Sequence, residues 1–160
     1  MIRLGFLERV GLFKRLNDDQ LSLVRECCVE KEYKRGDKLF CKGEDAKYIW
    51  IVIDGLIDLH FDLPEGFTME EGVISSLSQT MTLGWSSIMP PYKYKLSACC
   101  TTRKCKVLRL DAKELKQICE KDVKIGYLVM ANLAAVVSKR FHQLQDQVAE
   151  RRGHDIMHRW

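Results

Sequence analysis

The chain has 160 residues and carries 26 basic against 22 acidic side chains, a formal net charge of +4. Its content of 46% apolar and 30% charged residues excludes a disordered chain, a collagen-like fibre and a small disulfide scaffold, and the length predicts one domain. The charge is too small to indicate nucleic-acid binding by itself.

Residues 1–28 predict two short helices. Apolar residues recur at helical spacing in the first half of this segment, and the pattern breaks at Gly11. Asn17 is followed three residues later by Gln20, which is the spacing of a capping box. The pair therefore predicts the start of the second helix.

Residues 29–111 predict an antiparallel β-roll. Turn signals recur between short runs rich in aromatic and β-branched residues, such as 48–53 and 56–61. Many short strands at even spacing are typical of an antiparallel sandwich or barrel. Asp54 and Gly55, which separate these two runs, predict a hairpin.

Residues 112–152 predict a short helix followed by a long one. Asp111 with Glu114 has capping-box spacing before the first, which should end near Cys119. The long helix is predicted from about Asp122 to Arg151. Gly153 should end it and leave residues 153–160 as a tail.

An apolar seam with 4-3-4-3-4 spacing runs along the long helix. Nearly three heptads of this pattern indicate a helix that pairs with a partner helix, and so a homodimer. An amphipathic helix that lies on its own barrel is the alternative. The seam consists of Met130, Ala134, Val137, Phe141, Leu144 and Val148.

Metal and redox chemistry have little support in the sequence. The seven cysteines include no Cys-x-x-Cys pair, and the four histidines form no His-x-His or His-Glu-x-x-His group. We expect most of the cysteines to be small buried hydrophobic residues, with metal or redox sensing as the alternative. No metal site is predicted.

Neither a membrane segment nor a signal peptide is predicted. No apolar run approaches 18 residues, and the sequence from Met1 to Leu4 lacks a long apolar stretch. We expect a cytoplasmic protein without membrane contact.

The order of these elements and motifs resembles the cyclic-nucleotide-binding domain family, with the catabolite activator and its bacterial relatives as the most similar group. The resemblance covers roughly residues 6–148. It implies a mainly β α+β fold, a double-stranded antiparallel β-roll (jelly roll) with short N-terminal helices and a long C-terminal dimerisation helix. Its motifs are Tyr33–Phe40, Lys42–Glu44, Ile51–Gly55, Leu83–Gly84 and Cys105–Asp111.

In this family a cassette that begins Phe-Gly-Glu binds the cyclic phosphate. Its Glu accepts a hydrogen bond from the ribose, and an Arg ten residues later forks onto the phosphate. In the equivalent segment, 83–98, Gly84 is present, but Trp85 replaces the Glu and Lys95 takes the place of the Arg. Both losses together would cost about 3–5 kcal/mol of binding energy.

What remains of the cassette predicts a pocket for a cyclic nucleotide or another small anion, bound in a different way. Trp85 either stacks on a planar ligand or fills the pocket. On the long helix, Gln145 falls near the family's base-contacting position. The predicted ligand-binding residues are Gly84, Trp85, Ser86, Ser87, Lys93, Lys95, Ser97 and Gln145.

The basic strand residues Lys104, Lys106 and Arg109 are interpreted as solvated charges on an outer face. Since only eight residues follow Arg152, no helix-turn-helix and no specific DNA binding by this chain are expected.

A regulatory module that acts as a homodimer is the leading interpretation, and no enzymatic activity is expected. A dimeric interaction module without a ligand is the second hypothesis. A cupin enzyme is the third hypothesis, and it has little support because this chain lacks the His-x-His metal group that cupins usually carry. A haem or thiol redox sensor of the same architecture is the fourth hypothesis, with His142 as the candidate haem ligand. No cofactor is predicted, and a cyclic nucleotide is the candidate ligand.

Overall fold

The computed structural model describes residues 1–157, apart from the side chains of Met69 and Ile156. Its N-terminal segment holds α1 (Leu4–Glu8), a 3-10 turn (Gly11–Phe13) and α2 (Asp18–Glu26). The predicted capping box is confirmed. The Asn17 side chain accepts from the Gln20 backbone at 2.9 Å, and the Gln20 side chain accepts from the Asn17 backbone at 3.0 Å.

Eight antiparallel strands form two four-stranded sheets, which confirms the predicted β-roll. The first sheet has the order β1-β8-β3-β6 and the second β2-β7-β4-β5. The first strand pairs along its whole length with the last strand, from Cys28–Leu110 to Lys34–Lys104. The strands are β1 (Cys28–Lys34), β2 (Lys38–Phe40), β3 (Tyr48–Asp54), β4 (Ile57–His60), β5 (Val73–Leu77), β6 (Thr82–Leu83), β7 (Ser97–Cys100) and β8 (Lys104–Asp111).

The predicted hairpin at Asp54 and Gly55 is wrong, because β3 and β4 lie in different sheets. The turn instead carries the chain from one sheet to the other. Gly55 has φ +87°, and a Cβ there would lie 2.7 Å from the Lys104 carbonyl oxygen. A left-handed turn packed this closely requires glycine whether or not the flanking strands pair.

Two apolar clusters make up the core. One joins the N-terminal helices to β3, β8 and the C-terminal helices, and Phe13, Ile49 and Leu133 belong to it. The other fills the interior of the roll around Phe40 and Trp50. Strand β8 contributes to both clusters, because successive side chains point to opposite faces of a strand. Val107 lies in the cluster inside the roll, and Leu108 lies in the cluster with the helices.

The C-terminal part consists of α3 (Ala112–Lys121) and α4 (Val123–Met157). The Asp111 side chain caps α3 by accepting from the backbone N–H groups of Lys113 and Glu114. The prediction that Gly153 ends the long helix is wrong, because residues 153–157 are helical. Gly153 has open space around it, so its backbone continues the helix at a modest energetic cost. Residues 158–160 of the predicted tail lie outside the described part.

Four of the seven cysteines are buried, at positions 27, 99, 100 and 105. Cys100 of β7 and Cys105 of β8 form a disulfide, which the sequence reasoning did not foresee, and it links the two sheets. Within residues 1–157, no helix has both the length and the apolar character needed to cross a bilayer.

Candidate functional site

The segment that corresponds to the phosphate cassette begins where β6 ends. Gly84 has φ +82°, and a Cβ at this position would lie 2.9 Å from both Trp50 Cδ1 and the Tyr48 carbonyl oxygen. Only glycine fits this left-handed conformation against a neighbouring backbone. The 3-10 turn Trp85–Ser87 follows directly, so Gly84 determines where this turn starts and therefore where Trp85 lies.

Tyr94 holds the end of this segment inside the roll. Its hydroxyl donates to the Tyr48 carbonyl at 2.8 Å and accepts from Trp50 Nε1 at 3.3 Å. Its ring stacks on Phe40 with centroids 3.8 Å apart. Burial raises the pKa of the Tyr94 hydroxyl, so the group remains a neutral donor at physiological pH.

Trp85 faces a cation from the long helix. The Arg140 guanidinium carbon lies 4.4 Å from the Trp85 ring centroid, and Arg140 Nη2 donates to the Thr82 carbonyl. Burial lowers the Arg140 pKa to about 10. The other terminal nitrogen, Nη1, is buried without a hydrogen-bond partner. The charged group therefore has less polar compensation than its burial requires.

A cleft of 590 Å³ lies between the roll and α4, and we call it the roll–helix cleft. Its volume is in the range of small-molecule sites. Its walls come from β4, β5, the Trp85 turn and one face of α4. The side chains that line it include Leu59, Ser75, Met81, Trp85, Leu96, Arg140, Gln143, Leu144, Asp146 and Gln147.

The structure brings only one of the eight predicted ligand residues to this cleft, namely Trp85. Gly84 precedes it, while Ser86 is half-buried in the same turn. The Ser87 hydroxyl donates to the Gly84 carbonyl at 2.8 Å, and Ser87 lines a different cleft, of 570 Å³, beside the start of α3.

The other four predicted residues lie elsewhere. Lys93 pairs with Asp45 at 2.6 Å, while the side chains of Lys95 and Gln145 are exposed. Ser97 is fully buried. Its hydroxyl donates to the Asp62 carboxylate at 3.1 Å and accepts from the backbone of Lys42 at 2.9 Å.

Sequence reasoning missed Arg140 because it lies 55 residues after Trp85 on a long polar helix face. No local motif marks it. The available signal was its register, since residues 136, 140, 143 and 147 share one side of a helix.

The predicted dimer seam is largely exposed in the single chain. Phe141 is 58% exposed and Val148 52%. Val137 differs, since it is half-buried against the core. The exposed large members of the seam are Met130, Phe141, Leu144 and Val148.

The basic strand residues have partners on the roll. Lys104 pairs with Glu32 at 2.7 Å, and Lys106 pairs with Glu30 at 2.9 Å. Arg109 lies over the Tyr48 ring at 4.3 Å. These contacts support the interpretation of an outer charged face.

No described feature supports a haem or metal site. His142 is exposed, and burial raises the pKa of the Cys27 thiol to about 11, which keeps it protonated and a poor ligand. Among residues 1–157, no group of three or more His, Cys, Asp or Glu is arranged to hold a metal ion.

The structure combines a β-roll with a long helix that borders a cleft of small-molecule size. Residues 30–122, more than half of the chain, match the family model of the cyclic nucleotide-binding domain. The chain belongs to the cyclic nucleotide-binding domain family, which is a family of regulatory domains. The described residues contain no helix-turn-helix.

Solved structures agree with this assignment. A putative cyclic nucleotide-binding protein from Geobacter metallireducens is similar over 89% of this chain and 100% of its own, with 25% identity and a TM-score of 0.75. A cyclic nucleotide-binding domain from Methylobacillus flagellatus covers 92% of this chain and 81% of its own, with 17% identity and a TM-score of 0.77.

The catabolite activator protein of Thermus thermophilus is similar over 87% of this chain and 62% of its own, with 19% identity and a TM-score of 0.70. At this identity the similarity shows the fold alone, as it does for the Methylobacillus domain. No curated protein matches the chain.

Proposed function

We propose that this protein is a homodimeric sensor that binds a small anionic ligand, a cyclic mononucleotide or a close chemical relative, in the roll–helix cleft. The ligand acts by favouring one arrangement of α4 over another. A ligand shifts such an equilibrium only through different affinities for the two arrangements.

Leu144 carries this proposal. It lines the roll–helix cleft, it is 40% exposed, and it belongs to the apolar seam of α4. An occupant of the cleft would therefore contact the same helical turn that would contact a partner chain. Ligand binding would therefore act on the dimer interface directly, through α4 itself.

The chemistry of the cleft supports an anionic, partly planar ligand. Arg140 supplies a cation beside the aromatic ring of Trp85, Ser75, Gln143 and Gln147 add polar groups, and Asp146 is the one carboxylate among the described lining residues. Since Lys95 does not line this cleft, Arg140 is the cation that would meet a phosphate.

The apolar seam supports the homodimer. Seam residues repeat every three or four positions on one side of α4, and their large side chains are exposed. A second copy of the helix would cover them by knobs-into-holes packing.

Isothermal titration calorimetry with cyclic AMP and cyclic GMP tests the ligand proposal, with 5′-AMP as the open-chain control. We expect saturable binding of at least one cyclic nucleotide with a Kd of about 1 mM or lower, and weaker binding of 5′-AMP. Weaker or no binding of both cyclic nucleotides would refute it.

The second candidate is a dimeric interaction module that works without a ligand. The contact between Arg140 and Trp85 favours it, because the guanidinium covers a ring face that would otherwise stack on a planar ligand. The same titration decides between them, since this candidate predicts no nucleotide binding and an intact dimer.

A further inference from the structure

Another cleft, lined by basic but not acidic side chains, lies between the N-terminal segment, the turn before β6 and α4. It has a volume of 320 Å³, and we call it the basic cleft. Its charged side chains are Arg9, Lys14, Lys139 and Arg140. Thr80, Asn132 and Gln143 add neutral polar groups.

The positive charges of the basic cleft are not balanced by carboxylates. Within the described part of the chain, none of the four cations forms an ion pair. Arg140 Nη1 is also buried without a hydrogen-bond partner. Like charges around a small cleft destabilise one another, and an anion between them would reverse that effect.

The walls of the basic cleft are fixed to one another. Asn132 Nδ2 donates to the Leu12 carbonyl at 3.0 Å and to the Lys14 carbonyl at 2.9 Å. A Cβ on Gly11 would lie 3.6 Å from Val136 Cγ2, so the 3-10 turn packs directly against α4. The cations are therefore carried on a preorganised frame, which reduces the entropic cost of binding.

We propose that the basic cleft binds a small anion with two or more phosphate groups, such as the diphosphate or triphosphate part of a metabolite. The volume is at the small end of ligand sites and suits a phosphate chain better than a complete nucleotide. Two guanidinium groups and two ammonium groups match several phosphate charges.

The basic cleft adjoins the roll–helix cleft, and the inference does not depend on the proposed function. The two clefts share Met81, Arg140 and Gln143. Because Nη1 is covered by protein atoms, a phosphate that reaches it must shift the guanidinium. That shift changes the contact with Trp85, so occupancy of the basic cleft should alter Trp85 fluorescence.

Calorimetry with inorganic tripolyphosphate and pyrophosphate, at constant ionic strength, tests the proposal. The test variant combines Lys14→Gln with Lys139→Gln, and the matched control combines Lys34→Gln with Lys124→Gln. All four side chains are exposed, so both variants should fold, and both lose the same charge. Circular dichroism and thermal melting check folding.

We expect one tripolyphosphate per wild-type chain with a Kd below 10 mM. The Lys14/Lys139 variant should bind about tenfold more weakly or worse, and the control variant within about twofold of wild type. Binding weaker than 10 mM, or equal losses in both variants, would overturn the proposal. Binding of cyclic AMP is measured in a separate titration, so the failure of this proposal and the failure of the proposed function can be distinguished.

Discussion

The guanidinium carbon of Arg140 lies 4.4 Å from the ring centroid of Trp85, although the two residues are 55 positions apart in the chain. The contact connects the turn after β6 to the long helix. It also lies where the roll–helix cleft adjoins the basic cleft, because Arg140 lines both. A change at either cleft therefore affects this contact.

The first prediction concerns the energy of that contact. In a double-mutant cycle of Arg140→Met with Trp85→Leu, we expect a favourable coupling of about 0.5–2 kcal/mol in the free energy of unfolding. Urea denaturation measures it. Arg103→Met with Trp85→Leu is the control cycle, and its effects should add. Coupling equal to that of the control would contradict the contact.

The second prediction concerns the apolar seam. Phe141→Asp with Val148→Asp places two charges on the proposed interface and should give monomers in sedimentation velocity. His142→Asp with Ala149→Asp adds the same charges to exposed positions on another side of α4 and should leave the dimer intact. A wild-type monomer, or an unchanged mass in the first variant, would refute the dimer.

The third prediction concerns Gly84. Gly84→Ala should lower the free energy of unfolding by about 2–5 kcal/mol, since a left-handed conformation and a close backbone contact both oppose a Cβ. Gly36→Ala is the control, with φ +88° but no atom within 4 Å of its Cβ position. It should cost only about 1–2 kcal/mol. Equal losses in urea denaturation would count against the close packing.

The fourth prediction concerns the Tyr94 hydroxyl. Tyr94→Phe leaves the buried Trp50 Nε1 and the Tyr48 carbonyl without this partner, and we expect a loss of about 1–3 kcal/mol in the free energy of unfolding. Tyr92→Phe removes an exposed hydroxyl and should have almost no effect. The midpoints of chemical denaturation give both values, and similar values would contradict the role of the buried hydroxyl.

The fifth prediction is a pH dependence of stability. Hydrogen bonds from Lys106 and Lys104 lower the pKa values of Glu30 and Glu32, respectively. Because the folded state then binds fewer protons than the unfolded state, this stability is present above the ordinary carboxyl range. It disappears as the pH falls through the lowered values.

Glu30→Gln with Glu32→Gln should therefore reduce the stability at pH 7 and flatten the loss of stability as the pH falls below the ordinary carboxyl range. The control is Glu65→Gln, an exposed loop carboxylate. Thermal melting across this pH range shows the difference, and parallel curves for wild type and the double variant would disagree with the ion pairs.

Local patterns predicted the features that depend on near neighbours in sequence. Asn17 and Gln20 specify a helix start through two hydrogen bonds within four residues. The alternation along the strands specifies the faces of the sheets. In the same way, the spacing of Phe141, Leu144 and Val148 places them on one side of a helix.

Features that depend on distant parts of the chain were not predictable in this way. A left-handed Asp-Gly turn such as the one at Gly55 occurs both in hairpins and in connections between two sheets. Which of the two forms depends on the distant pairing of β3 with β8. Gly153 lacks the left-handed conformation that would end a helix. The surroundings of Lys95 and Arg140 depend on how α4 packs against the roll.

The pairing of β1 with β8 has a consequence for folding. Residues 28–34 cannot complete their sheet until residues 104–110 are available, so a ribosome must make more than 70 further residues after β1 before the roll closes. Such distant pairing slows folding and leaves the edge of β1 uncovered during synthesis. We therefore expect exposure of that edge to limit the yield of native protein more than the formation of the helices does.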